Sequence, residues 1–197
     1  MPGDGDDSRD EAPRCRQAAS HPGVPVPYPQ PVPGKLILCA GPIGNLGDAP
    51  PRLAEALRSA AVVYAEDTRR ARILLDHLGV SRPLRSYFAG NEAERSVELG
   101  SRLEAGETLA LLTDAGVPTI SDPGLSAVRA AVAAGAEVTG VPGPSAVTMA
   151  IALSGLPADR FCFEGFLPRR GERPPQRLLS PPGEPRALAI WGAPGRL

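Results

Sequence analysis

The feature that most constrains this chain is a strict alternation of short apolar runs with glycine-closed, helix-patterned segments, beginning at Lys35. "LILC" reads as a buried strand. "LAEALRSA" repeats its apolar residues at helical spacing, and "AVVYAED" is a second strand rich in β-branched residues. "DTRRARILLDHLGV" follows as a helix opened by Asp67 or Thr68 and closed by Gly79. "PLRSYF" is a weaker strand, and "EAERSVELGSRLEAG" a helix ending at Gly106. "TLALLTDAG" is a strand, "GLSAVRAAVAAG" a helix, "EVTGVPG" a strand, and "PSAVTMAIALSG" a helix with Pro144 in its first turn. Asp48 is expected to cap the first helix. Apolar runs of four or five residues without polar alternation suit strands buried on both sides. The fold class is therefore α/β, a mostly parallel sheet with helices on both faces.

In such sheets ligands bind beyond the carboxyl ends of the strands. Four loops lie there: residues 41–46, 66–69, 113–124 and 142–146. The first, "GPIGN", lacks the Lys-Ser/Thr of a phosphate loop and does not have GxGxxG spacing. It is either an ordinary tight turn or a place where a small ligand approaches bare backbone. In "LLTDAGVPTISDPG" two small-residue turns each carry an aspartate, Asp114 and Asp122, and "VPGPSA" ends the next strand similarly. Both aspartates have turn and cap chemistry as an alternative role. Loops of this kind offer N–H and C=O groups to a zwitterionic, nucleoside-bearing molecule. In "YAEDTRR", Glu66 or Asp67 could serve as a general base and Arg69 could hold a phosphate. Capping of the following helix is the alternative for Asp67.

Composition narrows the class. With 42% hydrophobic and 22% charged residues the chain suits a globular protein, and a net charge of −1 exerts no global pull on nucleic acid. Residues 160–197 nonetheless carry an excess of arginine. Cys15, Cys39 and Cys162 are far apart, with no zinc spacing, and Cys39 fits a small apolar filler. His21 and His77 have no ligand partners at metal spacing, so no metal site is expected. No secretory signal or membrane-spanning run is legible, which makes the cytoplasm the default location. Three regions follow: a disordered Pro-rich extension (1–34), a domain over 35–165, and a linker with the stub of a second domain (166–197), where "ALAIW" is a strand lacking a partner.

"GPIGNLGD", "AEDTR", "LLTDAGVPTISDPG", "VPGPSA" and "GLPADRFCFEGFLPR", in this order, resemble the tetrapyrrole-methylase superfamily. More narrowly they resemble its ribosomal RNA small-subunit methyltransferase I branch. The resemblance covers about residues 35–170 and continues weakly to Leu197. It implies S-adenosyl-L-methionine as cofactor and a cytidine ribose 2′-oxygen of small-subunit rRNA, or the 30S subunit, as methyl acceptor; relatives are often homodimers, and no membrane is involved. It implies that Pro42, Gly44, Asp114, Gly116, Pro118, Ser121, Asp122, Pro142, Ser145 and Ala146 line the cofactor pocket. Glu66, Asp67 and Arg69 would then serve catalysis. The chain departs from that pattern: no histidine precedes Asn91 and Glu92, and Gly192 and Gly195 stand where Glu and His are expected. A truncated or divergent copy is therefore expected. Tetrapyrrole C-methylation and an inactive fragment are the rival readings.

Overall fold

The computed structural model describes residues 34–167 and 186–192. The expected Pro-rich extension, Cys15, His21 and the Pro/Arg-rich segment after Leu167 lie outside the described residues, apart from Gly34. Five strands form a parallel sheet: β1 (Lys35–Cys39), β2 (Val62–Ala65), β3 (Leu84–Ser86), β4 (Thr108–Leu112) and β5 (Glu137–Val141). Their spatial order is β3-β2-β4-β1-β5. Five helices accompany them: α1 (Leu53–Ser59), α2 (Thr68–His77), α3 (Glu92–Glu104), α4 (Leu125–Ala133) and α5 (Ala146–Leu153).

The period of two along each strand divides the core. Ile37, Cys39, Val63, Ala65, Ala110 and Leu112 face one side and meet Leu53 and Leu57 of α1 and Leu74 and Leu75 of α2. Leu36, Val62, Tyr64, Leu109 and Leu111 face the other side and meet Leu99 and Leu103 of α3 and Ala127 and Ala131 of α4. Both faces are thus covered, as the unbroken apolar runs predict. The Cys39 thiol is buried, and burial pushes its pKa up to about 12, in keeping with an apolar filler. A T-shaped pair of Tyr64 and Tyr87, with centroids 6.2 Å apart, fills the second side.

This order has a directional consequence. β1 and β2 feed helices on one face, whereas β4, lodged between them, feeds α4 on the other. Connections that leave for opposite faces in this way open a crevice at the carboxyl end of the middle strand. The loops after β1, β2 and β4 therefore converge there.

Several local expectations are corrected. Asp48 does not cap α1. It ends a short 3₁₀ turn (Leu46–Asp48) capped by Asn45, and Arg52 precedes α1 without a side-chain cap bond. Proline-rich chain between the two offers no room for an earlier helix start. "ALAIW" is not partnerless: β7 (Ala187–Trp191) pairs in parallel with β6 (Phe161–Phe166). Trp191 packs edge-on against Phe163 at 5.7 Å and tilted against Phe166 at 6.2 Å.

Gly34, which the sequence reading leaves outside the domain, is fastened into it. Its N–H donates to the Leu103 carbonyl at 2.9 Å, and its own carbonyl accepts from Glu137 at 3.0 Å. A Cβ there would collide with the Glu107 carbonyl. Gly100, within α3, has only ordinary contact room toward Ala130. Gly34→Ala should therefore destabilise the domain by about 2–3 kcal/mol. Gly100→Ala should stabilise it by about 0.5–1 kcal/mol, by removing a flexible residue from a helix. Urea unfolding of the two variants checks both signs.

Candidate functional site

At the crevice the ends of β2 and β4 are stitched together. The Glu66 N–H donates to the Leu112 carbonyl at 3.3 Å, the Asp67 N–H to Asp114 Oδ1 at 3.1 Å, and the Asp114 N–H to Glu66 Oε2 at 3.4 Å. Asp67 caps α2, accepting from the Arg69 N–H at 2.8 Å, and both of its oxygens take the Arg69 guanidinium, at 3.1 and 2.7 Å. Those bonds hold its carboxyl well below the usual carboxylate range. Arg70, which the sequence reading passed over, reaches Asp114 Oδ2 at 3.3 Å. It follows Arg69 in a run of arginines that gives no sign of which one faces the site.

The loop after β1 meets the loop after β4 in a two-residue bridge. The Gly41 N–H donates to the Gly116 carbonyl at 2.8 Å, and the Gly116 N–H donates back at 3.2 Å. This bridge forms a ridge, and the residues beside it alternate. Pro42 and Gly44 turn to one cavity, of about 240 Å³, with Arg70, Thr113 and Asp114. Ile43 turns to a second, of about 250 Å³, with Gly116, Ser121, Asp122, Ser145 and Ala146. Phe166 and Trp191 of the small sheet close the far side of the second cavity. The residues expected to line one cofactor pocket are thus divided between two. Pro118 is buried, and Pro142 is exposed; neither lines either of these two cavities. Only a tertiary bridge sets this parity, so no local pattern could reveal it.

Gly44 has φ +137°, which disfavours any L side chain, yet a Cβ would meet nothing within 4 Å. Its requirement is conformational, and the space above it is open. The second loop is more strained. Thr119 (φ 76°) and Ser121 (φ 62°) occupy the left-handed region, a conformation costing about 1–3 kcal/mol each that persists where the surroundings impose it. Glu92 helps hold this loop: its Oε1 accepts from the N–H of Gly124 at 3.1 Å and of Ser126 at 3.2 Å, capping α4 from α3. Asn91 accepts from the Phe88 N–H at 2.9 Å and donates to the Ser86 carbonyl at 3.2 Å. The Asn-Glu pair is therefore structural here.

Two groups stand out electrostatically. The half-buried Asp122 carboxyl is raised to about 6, first by burial and then by the charges of Glu66 and Asp114. The Thr113 hydroxyl is buried without a partner among the described residues. An unmade bond of that kind costs about 1–3 kcal/mol. Among the described residues no cluster of three or more His, Cys, Asp or Glu could hold a metal ion, and no helix is long and apolar enough to cross a membrane.

Comparison with known proteins fits this architecture. Residues 35–194 match the family model for tetrapyrrole (corrin/porphyrin) methylases. A ribosomal RNA small subunit methyltransferase I from Xylella fastidiosa is 50% identical over 165 residues, 84% of this chain and 60% of the relative. One from Thermotoga maritima is 44% identical over 165 residues, 83% of this chain and 73% of the relative. The chain spans about three-fifths of the length of the first of these. Among solved structures, a diphthine synthase superposes with a TM-score of 0.52 at 19% identity, over 68% of this chain and 53% of the other, a likeness of fold.

Asp122 makes stability depend on pH in a defined direction. Its value of about 6 in the fold lies above the ordinary 3.8, so the folded chain binds more protons than the unfolded chain between them. Stability should fall as pH rises through that window. Asp122→Asn should therefore unfold later than the parent at pH 8, by about 1 kcal/mol after allowance for solvent screening of a half-exposed group. The difference should vanish below pH 4, as thermal melts across pH can establish.

Proposed function

The chain belongs to the tetrapyrrole (corrin/porphyrin) methylase family and, within it, to the ribosomal RNA small subunit methyltransferase I family, and on that premise we propose that it serves S-adenosylmethionine-dependent methylation of a cytidine ribose 2′-oxygen in small-subunit rRNA. The observation that carries the reading is the pair of cavities on either side of the bridge between Gly41 and Gly116, with Asp114 in the lining of one and Asp122 in that of the other. A two-substrate transfer requires two sites with a shared edge, where a proton acceptor can stand.

The second cavity fits the cofactor. Its walls at Gly116, Ser121, Ser145 and Ala146 are small and leave backbone within reach, and Asp122 offers negative charge to a cationic ligand. Phe166 and Trp191 add apolar surface for a ring. S-adenosylmethionine supplies a methyl group already activated on a sulfonium sulfur. What this chain must add is alignment of the acceptor hydroxyl and removal of its proton.

Asp122 is the group best suited to take that proton. A carboxyl raised to about 6 holds a proton more tightly than an ordinary one and is still mostly ionised at neutral pH. Glu66 and Asp114 maintain that affinity through their charge. Asp67, engaged by Arg69 and by the α2 terminus, is a weaker acceptor and acts by holding β2 to β4. Arg69, with its side chain 89% exposed, is available to an RNA phosphate. A ribosomal acceptor fits a cytoplasmic site of action.

Incubation with radiolabelled S-adenosylmethionine and 30S subunits, followed by nuclease digestion and mass spectrometry, tests the reading. The expected product is 2′-O-methylcytidine; label on a tetrapyrrole and none on RNA overturns it. In the active protein Asp122→Asn should lower turnover by about two to four orders of magnitude and abolish the acid limb of the rate profile near pH 6. Calorimetry should find S-adenosylhomocysteine affinity changed only a few-fold.

A further inference from the structure

The first cavity is not needed for the cofactor, and its chemistry differs from that of the second. Pro42, Leu74 and Leu112 form apolar walls, and Leu46 and Ile73, 38% and 60% exposed, form an apolar rim. Deep in it lies Thr113, 4% exposed, whose hydroxyl has no partner among the described residues. At one end Arg70 and Asp114 stand side by side, presenting guanidinium donors next to a carboxylate acceptor. The volume of about 240 Å³ is smaller than the roughly 300–1,000 Å³ of sites for drug-sized ligands, and suits a single nucleoside.

An apolar slot with one donor–acceptor edge is how proteins hold an unstacked base. A carboxylate accepts from the exocyclic amine of cytosine. The neighbouring guanidinium can donate to that base's ring nitrogen and carbonyl, which are acceptors. Uracil presents a carbonyl where the amine would be, opposite a carboxylate that cannot donate. Arg70, in the lining and with its side chain 68% exposed, has guanidinium N–H groups beyond the one it turns to Asp114, which suits a passing phosphodiester. The second cavity has no arginine in its lining and carries Asp122 instead.

We propose that the cavity between Pro42 and Thr113, with Arg70 and Asp114 at its edge, is the acceptor-base pocket and takes an amino-pyrimidine nucleoside of single-stranded RNA. This rests on the methyl-transfer reading and adds to it which cavity holds which substrate. The ridge joining Gly41 to Gly116 keeps base and cofactor apart.

Amide NMR titration of the full chain tests it, with cytidine 5′-monophosphate and S-adenosylhomocysteine as separate probes. Cytidine 5′-monophosphate at up to about 10 mM should shift the amides of Gly44, Ala71 and Thr113. S-adenosylhomocysteine should shift those of Gly116, Ser121 and Ala146. Uridine 5′-monophosphate should bind more weakly than the cytidine nucleotide. Arg70→Ala should weaken the cytidine nucleotide about tenfold and leave S-adenosylhomocysteine within twofold. Ile73→Trp, at an exposed rim position that need not disturb the core, should block the same nucleotide. Perturbation of the first set by S-adenosylhomocysteine, or no cytidine-nucleotide response at that set, overturns the proposal. A chain that binds neither S-adenosylhomocysteine nor methyl acceptor fails the methyl-transfer reading instead, whatever the first cavity does.

Discussion

Everything functional in this molecule depends on the insertion of β4 between β1 and β2. That strand is hydrogen-bonded on both edges and buried on both faces, with Leu109 to Leu112 nearly free of solvent. Because its neighbours send their chains to the opposite side of the sheet, three loops are driven to one point. The cross-bonds from Asp67 to Asp114 and from Asp114 to Glu66 exist because β2 and β4 end side by side. The bridge from Gly41 to Gly116 exists because β1 and β4 do. The site is a product of strand order before it is a product of side chains.

The ridge between the cavities gives the arrangement its chemical sense. A transferase must hold two ligands close without letting either occupy the other's place. Here three consecutive residues, Pro42, Ile43 and Gly44, face alternate sides, so one short segment walls both compartments. Burial first, and the charges of Glu66 and Asp114 after it, leave the Asp122 carboxyl ready to accept a proton near neutrality.

Much of the fold was legible from sequence, because apolar period and turn residues are local signals. The runs at β1, β2 and β4 announce burial on both faces, and Gly79 and Gly106 mark helix ends where the structure has them. What failed was non-local. "FCFEGF" carries no sign that it pairs with "ALAIW", since parallel partners are chosen across distant sequence. The reach of Glu92 to cap α4 depends on how α3 packs against it. Likewise the division of the expected pocket residues between two cavities, the engagement of Asp67 by Arg69 and the placement of Arg70 follow from tertiary geometry. The raised Asp122 is a property of its neighbours, none of which is adjacent to it in sequence.

The strand order also sets a schedule during synthesis. β1 is made first among the five strands but pairs only with β4 and β5. From Cys39 to Leu112, where β4 ends, the ribosome adds about seventy residues, roughly 4–15 s at ~5–20 residues per second. Throughout that interval "LILC" is an apolar segment without its sheet neighbours, and the Cys39 thiol, inert once buried, has ordinary reactivity. The arrangement that gathers the loops at maturity therefore exposes the nascent chain to aggregation and oxidation at its first strand, and protection of that strand, by a chaperone or by rapid elongation, becomes a condition of the fold.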